Sequence, residues 1–144
     1  MTEGHSVRAT GWARSIAVDT PVGEARAWTR RHLRDLGWTH SAPDTADAVV
    51  LAVSELVTNA HRHARGTAHL ILAWDGTCLH VSVHDGSPDA PRLREPDDEA
   101  SGGRGILLVD ALASTWQVQP CPRGKIVTAC FQPTPTPQAP PADG

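Results

Sequence analysis

Apolar residues recur at helical spacing near the start of the chain. Asp19 or Thr20 can cap a helix there, Pro21 suits its first turn, and Gly37 suits its end. The apolar stripe of this predicted helix consists of Val22, Ala25, Trp28, Leu33 and Leu36. Between these positions are arginines that we expect on a solvated face or on a docking surface for an acidic partner: Arg26, Arg30, Arg31 and Arg34.

A second predicted helix has the clearest helical period in the chain. Asp44 suits its cap and Asp47 lies in its first turn. The pattern continues to about residue 64, where Arg65 and Gly66 end it. The apolar residues that carry the period are Ala48, Leu51, Ala52, Leu56 and Ala60.

Alternating apolar residues and turn residues predict two β-hairpins. Residues 69–74 and 79–84 flank Asp75-Gly76, which is a strong tight-turn signal. Residues 116–119 and 126–131 flank the second turn, Pro122-Arg123-Gly124. With an edge strand at 12–18 and a third helix at 105–113, the order predicts an α+β fold: a two-layer sandwich whose mostly antiparallel sheet has helices on one face.

The remaining segments show no periodicity. Residues 87–103 are rich in proline and acidic residues, which is typical of a lid or a binding loop. Residues 133–144 hold five prolines and no large apolar residue, so we expect a disordered tail. The expected organisation is a flexible N-terminus at 1–11, one folded domain at 12–132 and the tail at 133–144.

The composition narrows the classes of protein. The chain has 144 residues, of which 40% are hydrophobic, as in a single globular domain. A net charge of −3 gives no support for direct nucleic-acid binding. No apolar run could span a membrane and residues 1–10 lack a signal-peptide core, so we expect a cytoplasmic protein. Cys78, Cys121 and Cys130 have no C-x-x-C spacing, which predicts reduced thiols.

Glu55 and Asn59 are the first candidate for chemistry. They lie four residues apart on the second predicted helix, so they share one face close to its apolar stripe. An amide oxygen and a carboxylate one turn apart suit Mg²⁺, which takes few protein ligands, and the carboxylate could accept a proton from a nucleophile. Spacing alone gives slightly more support to a structural role, as a hydrogen-bonded polar pair in a helix–sheet interface.

Two further segments could bind a nucleotide. Asp85 ends a buried strand just before Gly86, where a fixed carboxylate could accept from the exocyclic amine of adenine or could equally be a turn residue. Residues 102–105, Gly-Gly-Arg-Gly, precede the third predicted helix, whose free N–H groups favour phosphate, although such stretches also occur in plain mobile loops. No P-loop or dinucleotide-binding fingerprint is present.

Four segments taken together carry a resemblance to a known family. They read SELVTNAHRHA, VHDGSP, GGRGILLVDALASTWQV and GKIVTACF. In order and spacing they resemble the histidine-kinase-like ATPase (GHKL) superfamily, especially its small anti-sigma-factor serine/threonine kinases, over roughly residues 12–131. The resemblance implies the Bergerat ATP-binding fold, ATP and Mg²⁺ as cofactors, and a homodimer.

The resemblance also implies a role for each matched residue. Asn59 would hold Mg²⁺ against the phosphates, and Glu55 would be the base that activates the attacking hydroxyl or water. Asp85, followed by Gly86, would bind the adenine amine, and His63 would lie where a phosphate or partner contact is possible. The residues that would line the triphosphate are Gly103, Arg104, Gly105 and Ile106.

The function that the resemblance implies is regulatory. Such a kinase phosphorylates a STAS-type anti-anti-sigma protein and sequesters a sigma factor. Residues 88–102 would be its lid. The chain departs from the family pattern at Ser87 and Asp89, where the first glycine box has glycines, and at Ile126, where the last strand often has threonine. The changed glycine box leaves open an alternative to the kinase, a non-catalytic ATP-dependent protein-interaction regulator. A module that has lost the nucleotide is a further alternative.

Overall fold

A five-stranded antiparallel sheet forms one layer of the protein. The computed structural model describes residues 10–63, 66–86 and 112–134. Within them the strands are β1 (Thr10–Ile16), β2 (Ala68–Trp74), β3 (Leu79–Asp85), β4 (Thr115–Cys121) and β5 (Gly124–Phe131). Their order in the sheet is β1-β2-β3-β5-β4, so the predicted edge strand is confirmed as an edge, although it begins and ends two residues earlier than the predicted 12–18. The predicted loop at 87–103 lies outside the described residues. So does nearly all of the third predicted helix and of the predicted tail.

Helices form the second layer, on one face of the sheet. They are α1 (Val22–Asp35), α2 (Trp38–Ser41) and α3 (Pro43–His63). The helix α3 packs on β2, β3 and β5, and α1 packs beside it. The predicted α+β sandwich is therefore confirmed, with α2 as an addition that has too few residues to show a period.

The predicted helix caps were wrong, whereas the predicted end of α1 is confirmed. Pro21 holds the N-cap position of α1 without a side-chain capping hydrogen bond, so neither Asp19 nor Thr20 caps it. The helix α3 begins at Pro43, which places Asp44 in the first turn. Proline fixes a backbone angle suited to a helix start and needs no donor there. Gly37 has φ +83°, a left-handed conformation that favours glycine after a helix.

The core lies between the sheet and α3. The buried residues of α3 include Val49, Val53, Leu56, Val57 and Ala60, against Leu70, Leu72, Val81 and Phe131 of the sheet. Leu51 was predicted on the buried stripe but is 38% exposed. Because α3 is apolar around most of its circumference, its period alone does not define the buried face.

Both hairpins are confirmed, and their turns are fixed locally. The Asp75 Oδ1 atom accepts the backbone N–H groups of Thr77 and Cys78, each at 2.8 Å, and Gly76 takes φ +95°. In the second hairpin, β4 and β5 extend further toward the turn than predicted, so that Cys121 pairs with Gly124. No helix in the described part of the chain is long and apolar enough to cross a membrane.

Candidate functional site

Glu55 and Asn59 lie one turn apart on α3, as the sequence predicted. Asn59 is 9% exposed and Glu55 is half-buried. Neither side chain forms a hydrogen bond with another described residue, so the hydrogen-bonded polar pair that spacing alone favoured is not formed within those residues. A largely buried amide is costly unless a hydrogen bond or a metal ion satisfies its polar atoms. Its oxygen therefore suits a ligand such as Mg²⁺ with its waters, since Mg²⁺ needs few protein ligands.

Glu55 opens onto a groove between α1 and α3. The groove has a volume of about 590 Å³, and Arg26, Arg30, Asp47 and Leu51 are among its lining residues. Burial raises the pKa of Glu55 above its ordinary value, and the positive charge of Arg26 partly opposes this rise. A carboxylate whose pKa is raised while it stays accessible is a better proton acceptor than an ordinary surface glutamate.

Arg26 is held in place beside this groove. Its Nη1 atom donates a hydrogen bond to Ser54 Oγ at 3.0 Å, and Ser54 is buried on α3. Arg26 was expected on the outer surface of α1, and the structure instead places its guanidinium against α3. The groove therefore combines a carboxylate whose pKa is raised with a fixed positive charge.

Asp85 forms a buried ion pair at the end of β3. Its Oδ1 atom accepts a hydrogen bond from Lys125 Nζ at 3.0 Å, and the two side chains are only 3% and 4% exposed. The two residues are direct partners in the β3–β5 register. Asp85 is thus a fixed, buried carboxylate held by Lys125 rather than a simple turn residue.

Glycine is required where β5 begins beside Asp85. Gly124 has φ +148°, and a Cβ atom on it would lie 1.9 Å from the backbone oxygen of Asp85 and 2.8 Å from Gly86 Cα. No residue with a side chain fits there without moving β5 away from Asp85. Gly124 therefore permits the close approach that brings Lys125 to the carboxylate.

The roles of Gly124 and Lys125 were not predicted from the sequence. The segment that begins with Gly-Lys was quoted in the resemblance, but neither residue was given a role there. The signal for them was a glycine and a lysine at the start of a strand that is otherwise apolar on one face. Their partner, Asp85, is 40 residues away along the chain, so only the strand pairing shows the contact.

Other predicted site residues have no described side chain. His63 ends α3, but its side chain is outside the described part, as are Gly103, Arg104, Gly105 and Ile106. Gly86 is described and directly follows β3, with the Arg123 backbone oxygen 3.7 Å from where its Cβ would be. Among the described residues no three His, Cys, Asp or Glu side chains could together hold a metal ion. Such a cluster is not needed for Mg²⁺ bound through one or two protein ligands and phosphates.

Comparison with known proteins identifies the type of domain. A family model described as the histidine kinase-like ATPase domain matches residues 17–131. The match includes all of α1, α3 and β2 to β5, and thereby Glu55, Asn59, Asp85 and Lys125. No curated protein matches the chain.

Proposed function

The chain belongs to the histidine kinase-like ATPase family, and on this premise we propose that it is an ATP-dependent serine/threonine kinase acting on a protein. The family makes it an ATP-binding protein of the GHKL type. The observation that carries the kinase proposal is Glu55: a part-exposed carboxylate with a raised pKa, one turn from an amide without a described partner. Such a carboxylate is not needed for nucleotide binding alone, but it is needed to accept the proton of an attacking hydroxyl.

In this proposal each described residue has a separate task. Asn59 would hold Mg²⁺, and the bound ion would neutralise negative charge on the phosphates. Glu55 would accept the proton of the attacking serine or threonine hydroxyl. Asp85, fixed by Lys125, would accept the amine of adenine. The triphosphate would be lined by Gly103, Arg104, Gly105 and Ile106, as proposed from the sequence. His63 would contact a phosphate or the partner.

The proposed protein partners are those of the anti-sigma-factor kinases. The substrate would be a STAS-type anti-anti-sigma protein and the sequestered partner a sigma factor. The positive charges of Arg26 and Arg30 beside Glu55 support a protein partner with an acidic segment near its reacting hydroxyl. Affinity capture with and without ATP tests this, and recovery of neither class of protein would reject the partner assignment.

Phosphoryl transfer itself is tested with three variants. With labelled ATP and candidate STAS proteins, Glu55→Gln should lose transfer by roughly a hundredfold or more while ATP binding persists. Asn59→Ala should lose both binding and transfer. Asp47→Asn is the matched control, because Asp47 lines the same groove and has no proposed role. Equal transfer by the parent and Glu55→Gln would reject the catalytic role.

The second candidate is a non-catalytic regulator that binds its partner only with ATP. The observation that favours it is the altered glycine box, where Ser87 and Asp89 stand at the two glycine positions of the family pattern. It predicts calorimetric binding of Mg-ATP without transfer to any partner. A homodimer, through the apolar part of α1 or through β1, is a further proposal that sedimentation would test.

A further inference from the structure

A thiol and an imidazole face each other on the side of the sheet away from the helices. Cys130 on β5 is the direct register partner of His80 on β3. Their neighbours Leu79, Val81 and Phe131 point into the core, so strand alternation places Cys130 and His80 on the opposite face. Cys130 Sγ lies 3.1 Å from His80 Nδ1, within hydrogen-bond distance for a thiol donor.

A carboxylate orients the imidazole from its other side. Asp75 Oδ2 lies 3.0 Å from His80 Nε2, while Asp75 Oδ1 accepts the N–H groups of Thr77 and Cys78. These hydrogen bonds, first that from Cys78 and then that from His80, hold the pKa of Asp75 well below its ordinary value. An ionised Asp75 favours the His80 tautomer with its proton on Nε2, which leaves Nδ1 as the acceptor for the thiol proton.

This arrangement distinguishes Cys130 from the other two cysteines. All three are half-buried, so exposure does not separate them. Cys121 Sγ lies 3.9 Å from the Gln119 backbone oxygen, and Cys78 Sγ accepts from Gln132 Nε2 at 3.6 Å. Within the described residues, Cys130 is the cysteine whose sulfur contacts an imidazole, and that imidazole is backed by a carboxylate. A nucleophile, a base and a group that orients the base is the general pattern of an activated nucleophile.

Solvent reaches this cluster, which we call the Cys130 cluster (Asp75, His80 and Cys130). The side chains of His80 and Asp75 are 36% and 43% exposed. Among the described residues no helix or strand covers this face of the sheet, so a small molecule can approach the sulfur from the side opposite the helices. The cluster has no role in the proposed kinase function, so the two proposals stand or fall separately.

We propose that Cys130 is a modification site that reacts with low-molecular-weight disulfides to form a mixed disulfide. His80 Nδ1 takes the thiol proton, the Cys130 sulfur attacks one sulfur of the disulfide, and the S–S bond of the reagent breaks. The leaving thiolate takes the proton, so one thiol is released for each mixed disulfide formed and no other oxidant is needed. His80 is the base, and Asp75 is a positioning residue that acts through it.

The mixed disulfide should persist rather than pass to Cys78. Cys78 lies two residues before His80, so it is a diagonal neighbour of Cys130 across β3 and β5. Diagonal neighbours are about 7–8 Å apart, and cysteines whose Cα atoms are more than about 7 Å apart cannot be bridged without backbone movement. The expected product is therefore an adduct of the small molecule on Cys130.

The test compares three variants that each keep one cysteine, the others being changed to serine. Each native protein is mixed with 4,4′-dithiodipyridine, and the released thiopyridone is followed by absorbance. We expect the protein that keeps Cys130 to react roughly tenfold faster than those that keep Cys78 or Cys121. Glutathione disulfide followed by peptide mass mapping should place the adduct on Cys130. Equal rates for the three single-cysteine proteins would overturn the proposal.

Substitutions of the partners separate activation from mere accessibility. In the protein that keeps only Cys130, His80→Asn should slow the reaction roughly tenfold. Asp75→Asn should slow it less, and the ¹⁵N chemical shifts of the His80 ring should show that the tautomer protonated on Nε2 is no longer favoured, which a loss of packing alone would not do. Rates in denaturant, where the cluster is absent, should be equal for all variants. An unchanged native rate in His80→Asn, or a thiol that reacts only in denaturant, would refute the proposal.

Discussion

Lys125 Nζ and Asp85 Oδ1 lie 3.0 Å apart in a buried ion pair that joins the end of β3 to the start of β5. The pair fixes the Asp85 carboxylate, for which we propose contact with the adenine amine. Such a pair adds little net stability, because desolvation of two charges offsets their attraction, but loss of one partner leaves the other buried and uncompensated. The pair therefore serves mainly to hold the Asp85 carboxylate in place. The free energy of unfolding falls when one of the two charges is removed.

Removal of one charge of this pair should destabilise the protein strongly. Lys125→Met leaves the Asp85 carboxylate buried without its cation, and we expect a loss of about 3–5 kcal/mol in the free energy of unfolding. Urea denaturation measures it. The double variant Asp85→Asn/Lys125→Met should recover part of the loss, because no isolated charge remains. The two side chains are not coupled if adding Asp85→Asn to Lys125→Met lowers the free energy of unfolding by as much as Asp85→Asn lowers it alone.

A methyl group at Gly124 should disturb the same end of the sheet. The Cβ atom of Gly124→Ala would overlap the Asp85 backbone oxygen at 1.9 Å, so β5 must move away from β3. We expect lower stability and weaker binding of Mg-ATP by calorimetry. Gly23→Ala is the control, since its Cβ would meet only the end of the Arg26 side chain at 3.6 Å. Equal ATP binding by both variants would show that this approach does not position the nucleotide site.

The sequence predicts those features that short segments determine. Asp75-Gly76 fixes its turn through contacts within four residues, and the strands on either side were placed to within a residue. The sequence likewise predicts that Gly37 ends α1, because the left-handed conformation after a helix is a local requirement that glycine meets.

Features that depend on contacts between residues far apart in the chain could not be predicted from short segments. Leu51 has an apolar side chain, but the packing of α1 and the sheet against α3 leaves it exposed. Lys125 was not identified because its partner is far away in sequence. Glu55 and Asn59 were found from their spacing, yet only the structure showed that neither is hydrogen-bonded to a described residue.

Neutralisation of Glu55 should increase stability and remove the proposed catalysis together. Burial raises the pKa of Glu55, so its charge is a cost at pH values above the folded-state pKa, and that cost disappears as pH falls through that pKa toward the ordinary value of 4.5. Glu55→Gln should therefore raise the melting temperature at neutral pH and match the parent near about pH 4.

Asp47→Asn serves as the control for that measurement, because it removes a carboxylate from the same groove. A gain in stability that is the same at neutral and acidic pH would show that the charge of Glu55 is not the cause. If Glu55→Gln is more stable but still transfers phosphate at the full rate, Glu55 affects stability and has no catalytic role.

Acidification should weaken the fold through His32. Its ring stacks on Trp12 with centroids 4.3 Å apart and meets the edge of Trp28 at 4.6 Å. Its Nδ1 atom is buried without a hydrogen bond, 3.7 Å from Asp35 Oδ2. Burial lowers the pKa of His32 below 6.5, and the charge of Asp35 opposes this only in part. The unfolded chain therefore binds more protons, and the stability from neutral His32 is lost as pH falls below about 6.5.

His32→Phe isolates this effect, because phenylalanine keeps the aromatic contacts with Trp12 and Trp28 but cannot be protonated. We expect the urea midpoint of the parent to fall between about pH 7.5 and 5.5, and that of the variant to fall less. Glu55 contributes with the opposite sign, since its raised pKa favours the fold on acidification, but it is present in both proteins and cancels in the comparison. If both midpoints fall equally, the loss arises elsewhere and the aromatic contacts of His32 do not make the fold sensitive to pH.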